Sequence, residues 1–171
     1  MKRLFLIIPL FFLACSTKEV VTNYTITHAN ISQKSDKTIS IHVESTPELQ
    51  TRRIYWQKGY EKNPYLYSQW IDDFDNLIKK SVYNALFNAY KAVYFDKDAD
   101  INLKLFITNA THVVEDDKSY VILDIKAYAN NKSKEFHYQI PCQPNAKSAV
   151  AAFNKAIEKF EGDLAKWLKS S

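Results

Sequence analysis

The sequence predicts an α+β domain: an antiparallel β-sheet with two amphipathic helices packed on one face, a two-layer sandwich. Two observations lead to it. Two long segments carry apolar residues every third or fourth position, and three others alternate apolar with polar and are separated by short polar turns.

In chain order, Tyr24-Thr25-Ile26 is a short extended patch within a polar stretch rich in Ser, Thr, Asn and Lys. Ile39 to Glu44 (ISIHVE) alternates as a half-buried strand does, and Pro47 ends it. Arg53 to Lys58 and Pro64 to Ser68 are short aromatic strands, bracketed by Gly59 and Asn63-Pro64 as a hairpin would be. Trp70 to about Tyr90 reads as the first helix, with a stripe through Phe74, Leu77, Ile78, Val82 and Leu86 and acidic residues in its first turns. Ile101 to Ile107, Val121 to Ala127 and Phe136 to Ile140 follow as a meander, because short turns reverse the chain. Pro144-Asn145 opens the last helix with Asn145 as N-cap, and its stripe runs from Ala149 through Phe153, Ile157 and Phe160 to Leu168.

The N-terminus sets the expected compartment. Met1-Lys2-Arg3 precedes the apolar run Leu4 to Leu13, then Ala14 and Cys15. The run is about half of the roughly 20 residues a spanning helix needs. Charge, apolar run, small residue and cysteine in this order resemble a bacterial lipobox, with cleavage before Cys15 and acylation of its thiol. The chain therefore divides into a signal peptide (1–14), a lipidated N-terminus and tether (15–37) and a single α+β domain (38–171). Loss of Lys2 and Arg3 leaves 21 basic residues against 19 acidic ones, which gives no electrostatic case for nucleic acid. Cys142 is then the one remaining thiol, so no internal disulfide forms.

The chemistry the sequence offers is sparse. Its two glycines, Gly59 and Gly162, exclude the glycine-rich phosphate cradles. None of His28, His42, His112 and His137 has a second ligand at zinc-site spacing. Asp96-Lys97-Asp98-Ala99-Asp100 opens like a calcium loop, but Ile101 and Ile107 stand where the glycine and the bidentate glutamate belong, so it reads as a solvated turn. Cys142 lacks a base in sequence reach, since His137 falls on the opposite face of an extended strand. No catalytic residue, metal site or cofactor is expected beyond a covalent lipid on Cys15. Tyr55, Trp56, Tyr60, Tyr65, Tyr67 and Trp70 crowd sixteen residues, more aromatic surface than so small a core can take. Tyr55, Trp56, Tyr65 and Tyr67 are the expected partner contacts, since Tyr and Trp bury much area at little entropic cost.

The stretch Tyr24-Thr25-Ile26, the strand Ile39 to Val43, Pro47-Glu48-Leu49 followed by Arg52-Arg53-Ile54-Tyr55, then Tyr65-Leu66-Tyr67 and Trp70 before a helix resembles the ABC-type transport auxiliary lipoproteins. These include the lipoprotein partner of the paraquat-inducible MCE (mammalian cell entry) transport systems. The resemblance implies a non-enzymatic periplasmic subunit, anchored by its lipid. It would work beside an MCE-domain protein and an ABC permease and ATPase that move phospholipid between inner and outer membranes. Ser16 after the cysteine favours the outer membrane over the inner one. Two alternatives are kept: a periplasmic carrier that itself binds phospholipid in an opened helix–sheet interface, and a structural lipoprotein assisting outer-membrane or cell-wall assembly. Self-association is left open.

Overall fold

A computed structural model describes residues 19–169, so the signal segment and Cys15 lie outside the described residues. Its strands are β1 (Thr22–Tyr24), β2 (Ser35–Ser45), β3 (Arg53–Lys58), β4 (Glu61–Trp70), β5 (Tyr90–Phe95), β6 (Ile101–Val114), β7 (Ser119–Ala129) and β8 (Lys132–Pro141). Helix α1 (Phe74–Phe87) follows β4, and α2 (Ala146–Lys169) closes the chain. The fold is α+β, an open sheet with two helices on one face.

The sheet is mixed rather than antiparallel. The β6–β7–β8 meander and the β3–β4 hairpin reverse direction as short turns require. Four other pairings are parallel: β1 with β4, β2 with β5, and both β2 and β3 with β6. The reason lies at Pro47. It ends β2 without reversing the chain, and Thr46 N–H still donates to Ile107 O (3.1 Å). A short 3₁₀ turn at Pro47–Leu49 then carries the chain onward. Strands β2 and β3 thus run end to end along the same edge of β6, opposite Ile101–Ile107 and His112–Val113.

The first helix is shorter than its periodicity suggested. Trp70 belongs to β4, opposite Tyr24, with its N–H committed to Arg52 O (2.7 Å), so helix geometry begins only at Phe74. At the other end Tyr90 starts β5, a strand hidden by the apolar step that joins it to the helical stripe. The last helix begins where expected: Asn145 Oδ1 accepts from Ser148 N–H (2.9 Å). Strand β2 starts at Ser35, and β1 is hydrogen-bonded into the sheet, so much of the stretch expected as tether is part of the domain.

Helix α1 packs on β2 and β5, α2 on β7 and β8, and neither packs substantially on β3 or β4. Phe74 of α1 and Phe153 of α2 meet each other and Trp70 at the end of β4, with ring centroids 5.3–6.1 Å apart. Phe136 meets Phe160 edge-on at 5.2 Å. Between β1 and β2 the chain forms a strap over the helices, where Tyr24, Ile26 and Ile31 pack against the core.

Candidate functional site

An extra residue in β6 decides what the far end of the sheet presents. Ile107 faces Ile125, but the next partners are Asn109 and Asp124, so Thr108 forms a bulge. Before it the odd residues Ile101, Leu103, Leu105 and Ile107 are buried against the helices. After it the even residues Ala110 and His112 take that side, opposite Leu123 and Val121. His112 is consequently fully buried.

The imidazole joins a chain of polar groups. Tyr65 Oη lies 2.7 Å from His112 Nδ1, His112 Nε2 is 2.6 Å from Ser119 Oγ, and Ser119 Oγ is 3.7 Å from Cys142 Sγ. A neutral imidazole donates through one nitrogen and accepts through the other, which suits this chain. Burial depresses His112 to about 4 and pushes Tyr65 up to about 12. Burial also raises Cys142, against a smaller lowering by the Ser119 hydroxyl. The whole chain is therefore uncharged at neutral pH. The bond from Tyr65 Oη to the buried His112 ties the Tyr65 ring to β6.

Tyr65 forms a wall of a surface groove of about 480 Å³ lined by Trp56, Asn63, Pro64, Tyr65, Leu66 and Tyr67. A slip in the hairpin creates its outer wall. Arg53 pairs with Gln69 and Tyr55 with Pro64, so the β4 segment between them is three residues longer than its partner. The surplus lifts Leu66 and Tyr67 off the sheet, leaving them 77% and 48% exposed. Three of the four expected contacts, Trp56, Tyr65 and Tyr67, thus meet in one groove. Tyr55 does not line it: alternation sends it to the opposite face, where Lys62 Nζ lies 5.6 Å from its ring centroid.

The groove lies beside residues 19–21, the described residues nearest Cys15 in sequence. Strand β1 runs parallel to β4 with Thr22 opposite Ser68, which carries the preceding residues toward Tyr67 and Leu66. Glu19 hydrogen-bonds the Tyr67 hydroxyl and raises its pKa. Val20 and Val21, on the same stretch, are exposed.

The other polar residues singled out in the sequence are engaged elsewhere. His42 sits between Asp96 (2.5 Å) and Glu44 (2.9 Å), and its pKa is raised chiefly by the bond to Asp96. His137 pairs with Asp124 on the exposed face. In the acidic run, Asp96 is also 3.5 Å from Lys79, and Asp100 accepts from the N–H and hydroxyl of Thr38, both at 2.8 Å. Among the described residues no group of three or more His, Cys, Asp or Glu is placed to hold a metal, and no helix is long and apolar enough to cross a membrane. Sequence reasoning missed His112. The signal was available in the run Ile101 to Val114, where apolar parity switches after Ile107.

These features define a small α+β domain with an aromatic groove at the uncovered end of its sheet. No family model and no curated protein matches the chain. Among solved structures it is similar to protein XCC0632 from Xanthomonas campestris, described under DUF330, with a TM-score of 0.75 and 14% identity over 87% of this chain and 94% of that one. A second, described as an uncharacterized protein, gives a TM-score of 0.60 at 10% identity over 85% and 99%. At these identities the likeness extends to the fold.

Proposed function

We propose that the protein is a non-enzymatic envelope lipoprotein, acylated at Cys15, which docks the MCE-domain protein of an ABC-type lipid transport system at a membrane, with the outer membrane favoured. The observation that carries this reading is the placement of the groove. Trp56, Pro64, Tyr65, Leu66 and Tyr67 offer apolar and aromatic surface beside residues 19–21, the described residues nearest Cys15 in sequence. Three residues lie between Glu19 and Cys15, so four Cα steps give a reach of about 14 Å at full extension. A partner seated in the groove would therefore meet the protein close to the membrane. The resemblance to the ABC-type transport auxiliary lipoproteins supplies the partner's class.

Co-purification with the MCE-domain protein tests the docking. Leu66→Ser with Tyr67→Ala should reduce recovery at least about fivefold, the loss expected when central aromatic and aliphatic anchors are truncated, and Tyr55→Ala should not. Equal recovery across all of these variants would remove the groove from the reading. The mass of the exported chain, with and without Cys15→Ala, tests the acyl group.

The carrier alternative needs an apolar cavity between helices and sheet. That interface is filled by Phe74, Phe153 and Phe160, all fully buried, so a lipid chain would have to use the open groove instead. Native mass spectrometry of the exported protein separates the two readings: bound phospholipid favours the carrier.

A further inference from the structure

We infer that Glu161 is a protonation-operated clasp: as a neutral acid it fastens the strap between β1 and β2 across both helices, and its ionisation loosens the N-terminal segment from the domain. Three α2 residues at spacings of four and three, Asn154, Glu158 and Glu161, face the strap. Asn154 Oδ1 accepts from Thr27 N–H (2.6 Å), and Thr27 Oγ1 lies 3.0 Å from Asn154 Oδ1 and 3.1 Å from Glu158 Oε1. Glu161 Oε2 accepts from Ala29 N–H (2.5 Å). From α1, Ser81 Oγ lies 2.6 Å from Glu161 Oε1 and 3.1 Å from Thr27 O.

A neutral carboxyl satisfies the hydrogen count at Ser81. A serine hydroxyl has one hydrogen, and neither a carboxylate oxygen nor the Thr27 carbonyl can donate. With Glu161 protonated, both Ser81 contacts are two-centre hydrogen bonds, Glu161 O–H to Ser81 Oγ and Ser81 O–H to Thr27 O. An ionised Glu161 takes the Ser81 hydrogen for itself and leaves the Thr27 carbonyl without that donor.

The surroundings agree. Glu161 is 1% exposed, and burial, reinforced by the Glu158 charge, raises its carboxyl from the ordinary 4.5 to about 7 against the Ser81 and Ala29 bonds. The groups facing it from α1 and the strap are Ser81, Thr27 and Ala29, all uncharged, and His28 of the strap is exposed to solvent. With the folded value above the unfolded one, the clasp is complete below about pH 4.5 and is lost as pH rises through about 7.

Release has a mechanical consequence. Besides the clasp, residues 22–31 are held by the three-residue β1 and by the packing of Tyr24, Ile26 and Ile31, and freeing them would add on the order of 30 Å to the reach of the N-terminal end. It would also draw Glu19 away from Tyr67 at the groove rim. That last effect rests on the docking reading, whereas the clasp does not.

Amide hydrogen exchange on the full exported chain tests it, with rates corrected for intrinsic pH dependence and Leu123 of β7 reporting global opening. Between pH 5 and pH 8 the Thr27 and Ala29 amides should lose protection by about tenfold or more while Leu123 holds. Glu161→Gln keeps a donor toward Ser81 and an acceptor for Ala29 without titrating, so its strap should stay protected across the range. A wild-type strap whose protection is flat, a Gln variant that follows the wild type, or a Glu161 side-chain carbon that titrates near 4.5 would each overturn the inference.

Discussion

The two hairpins of this sheet are built by different rules. Strands β7 and β8 pair without a slip from Tyr120–Pro141 to Ala129–Lys132, and every second residue of β7, with Phe136, Tyr138 and Ile140 of β8, enters the core beneath α2. Strands β3 and β4 begin in register, then part by three residues, and what the slip releases, Leu66 and Tyr67, stands in solvent. The difference follows from cover. Where a helix lies on the sheet, a one-residue shift would exchange the whole buried set for the polar one, so register is strongly fixed. Where no helix packs, the slip costs little, and the freed side chains can build a groove.

The largest effect that could break this comparison is a truncation made in each region. Phe160→Ala removes a fully buried ring that meets Phe136 at 5.2 Å, and should destabilise the domain by about 3–5 kcal/mol. Leu66→Ala, at 77% exposure, should stay within about 0.5 kcal/mol. Urea unfolding of the two variants gives both numbers. A Leu66→Ala loss approaching that of Phe160→Ala would mean the groove is part of the core.

The same division governs what the sequence made legible. Strands β7 and β8, the first half of β6 and α2 could be read directly, because those strands keep an unbroken alternation and a helix packed along its length keeps one stripe. The parallel pairings could not, since nothing local tells a turn that reverses the chain from one, such as Pro47–Leu49, that carries it onward. Trp70 continues the stripe of α1 yet lies in β4, because its partners Tyr24 and Arg52 are distant in sequence. Three of four expected contacts line the groove, and Tyr65 is also bonded to His112, whose burial follows from the bulge at Thr108. Glu161 falls among the apolar residues of α2, four after Ile157, and a carboxylate there was a visible sign of a buried polar contact.

A second prediction concerns the polar wall between the two regions. His112 is neutral in the folded protein, and its pKa of about 4 lies below the ordinary 6.5. The unfolded chain therefore binds the extra proton first. Stability should be complete above about pH 6.5 and fall as pH drops toward 4, by about 3 kcal/mol from this group. Denaturant midpoints measured from pH 4 to pH 7 should show this slope, superimposed on the carboxylate contribution. His112→Gln should remove its share, lowering stability at pH 7 more than at pH 4. An unchanged slope in the variant would show that the imidazole is solvated and that the chain from Tyr65 to Cys142 is not closed.

The smallest effects should differ in sign. Gly59, in the turn between β3 and β4, has φ of +58°, and a Cβ there would meet nothing within 4 Å. Space is free but the backbone is left-handed, so Gly59→Ala should cost about 1 kcal/mol. Gly162 lies inside α2, where an added Cβ would likewise meet nothing within 4 Å and φ is that of an ordinary helix. There the methyl group restricts the unfolded chain without straining the folded one, and Gly162→Ala should stabilise by about 0.5–1 kcal/mol. Thermal unfolding of the two variants should move in opposite directions. The pair isolates backbone conformation from packing, because neither methyl group touches another side chain. Movement in the same direction would mean that the β3–β4 turn relaxes to accept a side chain, which would in turn free the slip that positions Leu66 and Tyr67.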